Sequence, residues 1–171
     1  MAIDILIMSD NGLETVGGEQ ESTKIIIKGT KNHFRLGVIQ PGAINNKEDN
    51  VIYYNLTLKT RIKHLIKNPF AFLNYIWKVK KIINKEKPKI IHTQAQVSFF
   101  IVALLIKLNL ISRDIHFIHT ERGLYTKYSM FFKRMFLFFM KDLDVLVTTT
   151  KFNLYNWKDA IQGKKIALDY K

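Results

Sequence analysis

Three short stretches carry the residue types best suited to chemistry. Gly17 and Gly18 follow the apolar run IDILIM (residues 3–8) and lead directly into Glu19 and a helix-forming segment. Between a strand and a helix, a glycine pair lets the backbone approach a bound group closely, and the free N–H groups at the helix start favour negative charge. Glu19 and Glu21 in the same first turn repel a phosphate placed directly on it, so hydroxyl-bearing groups suit this end better. The stretch is not a dinucleotide fingerprint, because GG continues as Glu19, Gln20, Glu21 and no acidic residue closes a second strand. His92 ends the run KIIHT. His119 ends IHFIHT and is followed by Glu121, Arg122 and Gly123. A histidine at the functional end of a strand either points into a crevice or is satisfied by a neighbouring loop, and both readings stand for His92 and His119. His33, His64 and His116 have no such placement and read as structural or solvated. No spacing of His, Asp and Glu suggests a metal ligand set, and neither a serine elbow nor a P-loop is present.

These residues need a scaffold that brings strand ends together. Six strand-sized runs rich in β-branched or aromatic residues occupy 3–8, 34–39, 51–54, 89–93, 115–120 and 144–150. Most carry apolar residues consecutively, as strands covered on both faces do. Helix-length segments lie between them, over Gly18–Lys31, Pro69–Lys87, Gln96–Leu110, Thr126–Lys141 and Phe152–Ile161. The alternation predicts an α/β fold: a doubly wound, mostly parallel sheet of about six strands with helices on both faces. A length of 171 residues suits one such domain, spanning 1–171. In a sheet of this kind, ligands sit beyond the carboxyl ends of the strands, which is where the glycine turn lies.

Charge adds a second theme. Twenty-seven Lys and Arg against 14 Asp and Glu give a net charge of +13, and nine of the basic residues, with one acid, fall between Leu56 and Pro88. Such a balance attracts anionic lipid, phosphorylated substrates or nucleic acid. No RNA-binding, helix-turn-helix or zinc pattern accompanies it, so specific nucleic-acid binding is not expected. Residues 97–111 and 128–141 are strongly apolar but fall short of a membrane span and are interrupted by Lys107, Lys133 and Arg134. In the second segment Phe131, Phe132, Met135, Phe136, Phe138 and Phe139 surround the helix instead of forming one stripe. With the neighbouring cations they read either as a deeply buried helix or as an interfacial surface that dips aromatics among headgroups. Expected membrane contacts are Lys78, Lys80, Lys81, Lys133, Arg134 and Phe138. The N-terminus has no basic leader, and the chain has no cysteine. Cytosol is therefore the expected compartment, with peripheral attachment to the inner face of the cell membrane.

Taken in order, a strand followed by GGEQ, then KPKIIHTQ after a basic amphipathic helix, then IHFIHTERG, then DLDVLVTTTKFN resembles the N-terminal half of the family-four glycosyltransferases of GT-B fold. The resemblance covers nearly all of the chain and implies a Rossmann-like, acceptor-side domain. It assigns Gly17 and Gly18 to a loop near the donor diphosphate and the acceptor, and His119 to the donor sugar as the catalytic residue. It sets Glu19, His92, Glu121 and Arg122 along the cleft rim, and Thr148–Thr150 where the family often has a small hydroxyl residue. The paired glutamates and nucleotide site of such enzymes belong to a second domain, which this chain does not contain, so the isolated chain is expected to be inactive. What the resemblance implies for the complete enzyme is retaining transfer, of hexosyltransferase type, from a nucleotide sugar to a lipid-linked or polysaccharide acceptor in cell-surface polysaccharide synthesis. No cofactor or obligatory metal is expected. The competing expectation is a non-catalytic module that binds membrane or a partner chain.

Overall fold

The computed structural model describes residues 3–43, 48–157 and 164–167. Strand β1 (Ile5–Met8) leads into helix α1 (Gly18–Thr30), followed by β2 (Leu36–Gln40) and β3 (Val51–Asn55). A 3-10 turn at Ile62–His64 precedes α2 (Pro69–Glu86), β4 (Ile90–Thr93), α3 (Gln96–Lys107) and β5 (His116–Glu121). A second 3-10 turn, Tyr125–Lys127, then leads to α4 (Met130–Met140), β6 (Val145–Thr148), α5 (Lys151–Asn156) and β7 (Lys164–Ala167). All neighbouring strands pair in parallel, in the order β3-β2-β1-β4-β5-β6-β7. The chain builds outward from β1 in one direction and then returns to build outward in the other, so the topological switch falls between β1 and β4.

The expected doubly wound sheet is present and is parallel throughout. It has one strand more than expected, because KKIA is only four residues long, begins with two lysines and carries no apolar run for a sequence reading to find. Pairing with β6 holds it. Helix boundaries follow local chemistry. Asn68 caps α2 by accepting from the Ala71 N–H at 3.1 Å, with Pro69 in the first turn, and Lys87 ends the helix in a left-handed conformation at φ 46°. Asn109, also left-handed at φ 53°, follows α3 and stops it short of the expected Leu110. Helix α4 starts at Met130 and not at Thr126, because Ser129 caps it through the Phe132 N–H and the preceding residues form the 3-10 turn. Helix α5 ends at Asn156, and positions 158–161 of the helix expected there lie outside the described residues.

One face of the sheet packs against α2, α3 and α4. Its core joins Tyr75, Val79 and Ile83 of α2 to Ile91, Phe99, Phe117, Phe136 and Trp157. Phe136 and Trp157 lie 5.2 Å apart between ring centroids, and Phe99 and Phe136 4.7 Å apart. The opposite face carries α1, where Ile27 closes over Ile7, Leu36 and Val38. Each fully buried aliphatic or aromatic side chain of this kind contributes about 1.5–3 kcal/mol. The elements are therefore fixed by ordinary core burial, which brings the strand ends of β1, β4 and β5 together.

Candidate active site

A cavity of about 560 Å³ opens at the carboxyl ends of β1, β4 and β5, at the topological switch. Its walls are Asp10 and Asn11 after β1, the Gly17–Gln20 start of α1, Gln94–Val97 after β4, and Thr120–Gly123 at the end of β5. Arg61 and Lys63, from the loop before α2, stand at the mouth. Gly17, Gly18, Glu19, Glu121 and Arg122 of the expected residues are thus brought together. His92 and His119 are not among the lining residues.

The two glycines have different reasons to be bare. Gly17 caps α1 with extended backbone, and a Cβ there would come 2.5 Å from Oε1 of Gln20, a buried side chain whose amide donates to Thr15 Oγ1 at 2.6 Å. Gly17 is therefore bare for the fold. A Cβ on Gly18 would meet nothing within 4 Å. No packing explains that residue, and its backbone lines the cavity at the first helical turn, whose N–H groups have no partner within the helix.

The carboxylates around the cavity are committed to the protein. Glu19 folds back from α1 over the end of β1, accepting from Ser9 Oγ at 2.6 Å, from the Asp10 N–H at 2.8 Å and from the Asn11 amide. These three donors of the preceding loop fix where its charge sits, over the end of β1. Asp10 accepts from the Val97 and Ser98 N–H groups at 2.7 and 2.8 Å and from the Ser98 hydroxyl, capping α3. Burial pushes its carboxyl up to about 6 despite those bonds, and the Glu19 charge adds to the rise. Glu121 is 1% exposed. It accepts from the Tyr128 hydroxyl at 2.7 Å and the Gly123 N–H at 2.5 Å on one oxygen, with His119 Nε2 at 3.3 Å from the other. Burial alone would raise the Glu121 carboxyl, yet the His119 bond and these donors outweigh burial and hold it below the usual carboxylate range.

His119 was expected to face the donor sugar. The structure puts it under the floor of the cavity, with no exposed surface, between Phe99 at 4.5 Å and Phe136 at 5.8 Å from its ring centroid. The reason is strand parity. Phe117, His119 and Glu121 share the face covered by α3 and α4, and His119 Nδ1 is held 3.0 Å from Thr93 Oγ1 on the adjacent strand. His92 has the other parity. Its Nε2 lies 2.8 Å from Thr120 Oγ1 and 2.9 Å from the Gln94 amide nitrogen. Arg122 orients that amide, since its guanidinium donates to Gln94 Oε1 and to the Gln94 carbonyl, both at 2.7 Å, and also to Ser22 on α1. The amide nitrogen must then donate to His92, whose Nε2 accepts as a neutral ring. Burial pushes the imidazole down to about 3, with the charges of His119 and Arg122 adding to it, in agreement with that orientation. His92 therefore braces Gln94 and Arg122 instead of facing the cavity.

Of the other expected positions, Thr150 caps α5 through the Asn153 N–H, and Thr148 donates to the Thr150 carbonyl. Among the described residues no group of three or more His, Asp or Glu converges as metal ligands do, and no helix is long and apolar enough to cross a membrane. The expected membrane contacts divide. Lys81 is exposed over the Trp77 ring at 3.6 Å and Arg134 is exposed, while Lys78, Lys80 and Lys133 are half-buried, Lys133 lying 4.1 Å from the Tyr125 ring. Phe138 is exposed beside the Lys107 ammonium. Sequence reasoning missed Asp10, Gln94, Arg61 and Lys63 as site residues. The polar stretches SDN after β1 and TQAQ at the end of β4 were the available signal for the first two.

Two solved structures share this architecture. An alpha-glucosyltransferase in complex with UDP superposes with a TM-score of 0.51 at 14% identity, covering 93% of this chain and 39% of its own. A sucrose-phosphate synthase from Thermosynechococcus elongatus superposes with a TM-score of 0.54 at 12% identity, covering 98% of this chain and 90% of its own. At such identities they establish the fold, the Rossmann-like half of a GT-B enzyme. The chain spans well under half of the glucosyltransferase. No curated protein matches it. The sequence profile of glycosyltransferase family 4 matches residues 24–167, which runs from within α1 to the end of β7. With that match over most of its length and a cleft at the switch point of a GT-B-type sheet, the chain belongs to glycosyltransferase family 4.

Proposed function

We propose that this domain forms the acceptor-side wall of a retaining glycosyltransferase, of hexosyltransferase type, that moves a sugar from a nucleotide-sugar donor to a lipid-linked or polysaccharide acceptor. The cavity carries this reading. It lies where an open α/β sheet binds ligands, and the backbone at Gly18 is bare with no intramolecular reason. A donor-binding domain, from the remainder of a longer product or from a separate chain, closes the other wall, and the isolated chain is inactive without it. Gly17 and Gly18 admit the donor diphosphate and acceptor, and Arg61 and Lys63 at the mouth add positive charge for a phosphate-bearing group. Transfer needs neither cofactor nor obligatory metal in this reading. Positioning and stabilisation of the departing phosphate provide the rate enhancement.

His119 serves as a positioning residue in this proposal. It orients Glu121, which fixes the Gly123 backbone and Tyr128, while Arg122 ties the end of β5 to β4 and α1. The work takes place on the cytoplasmic face of the cell membrane, in synthesis of a surface polysaccharide.

The test is Gly18→Val in the protein paired with its donor domain, assayed with labelled nucleotide sugars and a lipid-linked acceptor. Circular dichroism should be unchanged, because the new side chain enters open space, and transfer should fall by about a hundredfold as it occupies the ligand's approach. Full activity in a folded Gly18→Val protein would remove the cavity from the mechanism.

A further inference from the structure

Extending the membrane-side acceptor reading, we infer that the outward face of α2 docks the domain on an anionic lipid bilayer. Tyr75, Val79 and Ile83 bury one side of this helix. On the opposite side Phe70, Leu73 and Trp77, spaced i, i+3 and i+7, form a single stripe and are 85%, 61% and 51% exposed. Large apolar side chains so exposed, aligned and adjacent are not what a solvated helix face carries.

Cations flank the stripe. Lys81 lies one turn beyond Trp77 with its ammonium over the indole ring, while Lys78 and Lys80 rise on either side with half-buried stems. The helix holds one acid, Glu86, at its last position, where it is half-buried and pairs with Lys85 at 3.4 Å. Aromatic and aliphatic groups along the centre, lysines along both edges and no outward acid form the pattern of a helix lying in a headgroup layer of negative charge. A soluble acidic protein would match the lysines and leave the three apolar side chains without partners. A neutral bilayer would match the reverse.

Position adds to the charge argument. The loop that puts Arg61 and Lys63 at the cavity mouth continues through exposed Ile66 and Lys67 straight into α2. A lipid-borne acceptor held in the same bilayer therefore meets the cavity along a basic rim. The inference moves the principal lipid contact from α4, where the sequence placed half of it, to α2. In α4 Phe132, Phe136 and Phe139 turn inward against Phe100, and only Phe131 and Phe138 of its phenylalanines stay outward.

The chain supplies its own reporter, since Trp77 is exposed on the stripe and the other tryptophan, Trp157, is fully buried. The 171-residue chain is mixed with vesicles of phosphatidylcholine alone or of phosphatidylcholine with phosphatidylglycerol, and tryptophan emission and co-sedimentation are followed. Binding should be about tenfold or more tighter with phosphatidylglycerol, the emission should shift to the blue, and brominated lipid should quench it. A Phe70→Ser, Leu73→Ser double variant should keep its circular dichroism and lose about tenfold or more in binding. Lys78→Glu with Lys81→Glu should do the same. The inference falls if neither vesicle binds, if both bind equally, or if binding leaves Trp77 emission unchanged, as docking through α4 would. It also falls if the chain dimerises without lipid and the double variant abolishes the dimer. No donor or acceptor enters this assay. Transfer to a soluble acceptor without vesicle binding would overturn the docking surface alone, and vesicle binding without transfer would overturn the catalytic reading alone.

Discussion

The cavity floor and the outer face of α2 treat charge in opposite ways. At the floor, Asp10, Glu19 and Glu121 each accept several hydrogen bonds from the protein, and Arg122 ties three elements together. On α2, lysines surround an exposed aromatic stripe with a single acid at the helix end. The first set spends its charge on the architecture. The second leaves its charge to the surroundings. A charged residue beside a cleft is therefore no better a candidate for ligand contact than its count of internal partners allows. By that measure Gly18, Arg61 and Lys63 rank above Glu19, Glu121 and His119.

If the floor is architectural, Glu121→Ala should have the largest effect. It strands the Gly123 N–H, the Tyr128 hydroxyl and His119 in a buried site, and urea unfolding should show a loss of about 3 kcal/mol or more. A loss under about 1 kcal/mol would break the contrast, by showing that Glu121 is as independent of the fold as a surface charge.

The next largest effect concerns His92 and pH. Its ring is neutral in the folded state down to about 3, whereas in the unfolded chain it protonates near 6.5. The unfolded state therefore binds the extra proton. Stability from this residue is complete above about pH 6.5 and is lost progressively as pH falls toward 3. His92→Gln should cost about 1 kcal/mol at pH 7 and flatten the decline of stability between pH 6 and 4, measured by urea titrations at fixed pH. An unchanged slope would mean that the Arg122–Gln94–His92 chain does not hold the ring neutral.

The smallest effect belongs to α2. Lys78→Glu with Lys81→Glu should change stability by no more than about 0.5 kcal/mol, since these cations support no buried contact, even as it removes vesicle binding. A larger loss would move α2 into the architectural class.

Much of this was legible in the residues. Consecutive apolar runs separated by helical segments implied a parallel sheet wound in both directions, and the glycine pair marked the edge where the cavity lies. Strand β7 was not legible, because a four-residue edge strand with two lysines draws its order from pairing with β6 instead of from its own hydrophobicity. The orientation of His119 was missed for another reason. Strand parity says which residues of β5 share a face without saying which face a given helix will cover.

The sequence by itself determined the periodicities, the glycine turn and the concentration of positive charge before β4. These depend on residues close in the chain, whose steric and hydrogen-bonding preferences act locally. The tertiary structure alone decided that Glu19 would close over β1, that Arg122 would join β4 to α1, that His119 would lie beneath the cavity and that Gly18 would stand open. Each of those outcomes rests on groups far apart in sequence, and they meet only once the crossovers have placed α1 on one face and α2, α3 and α4 on the other.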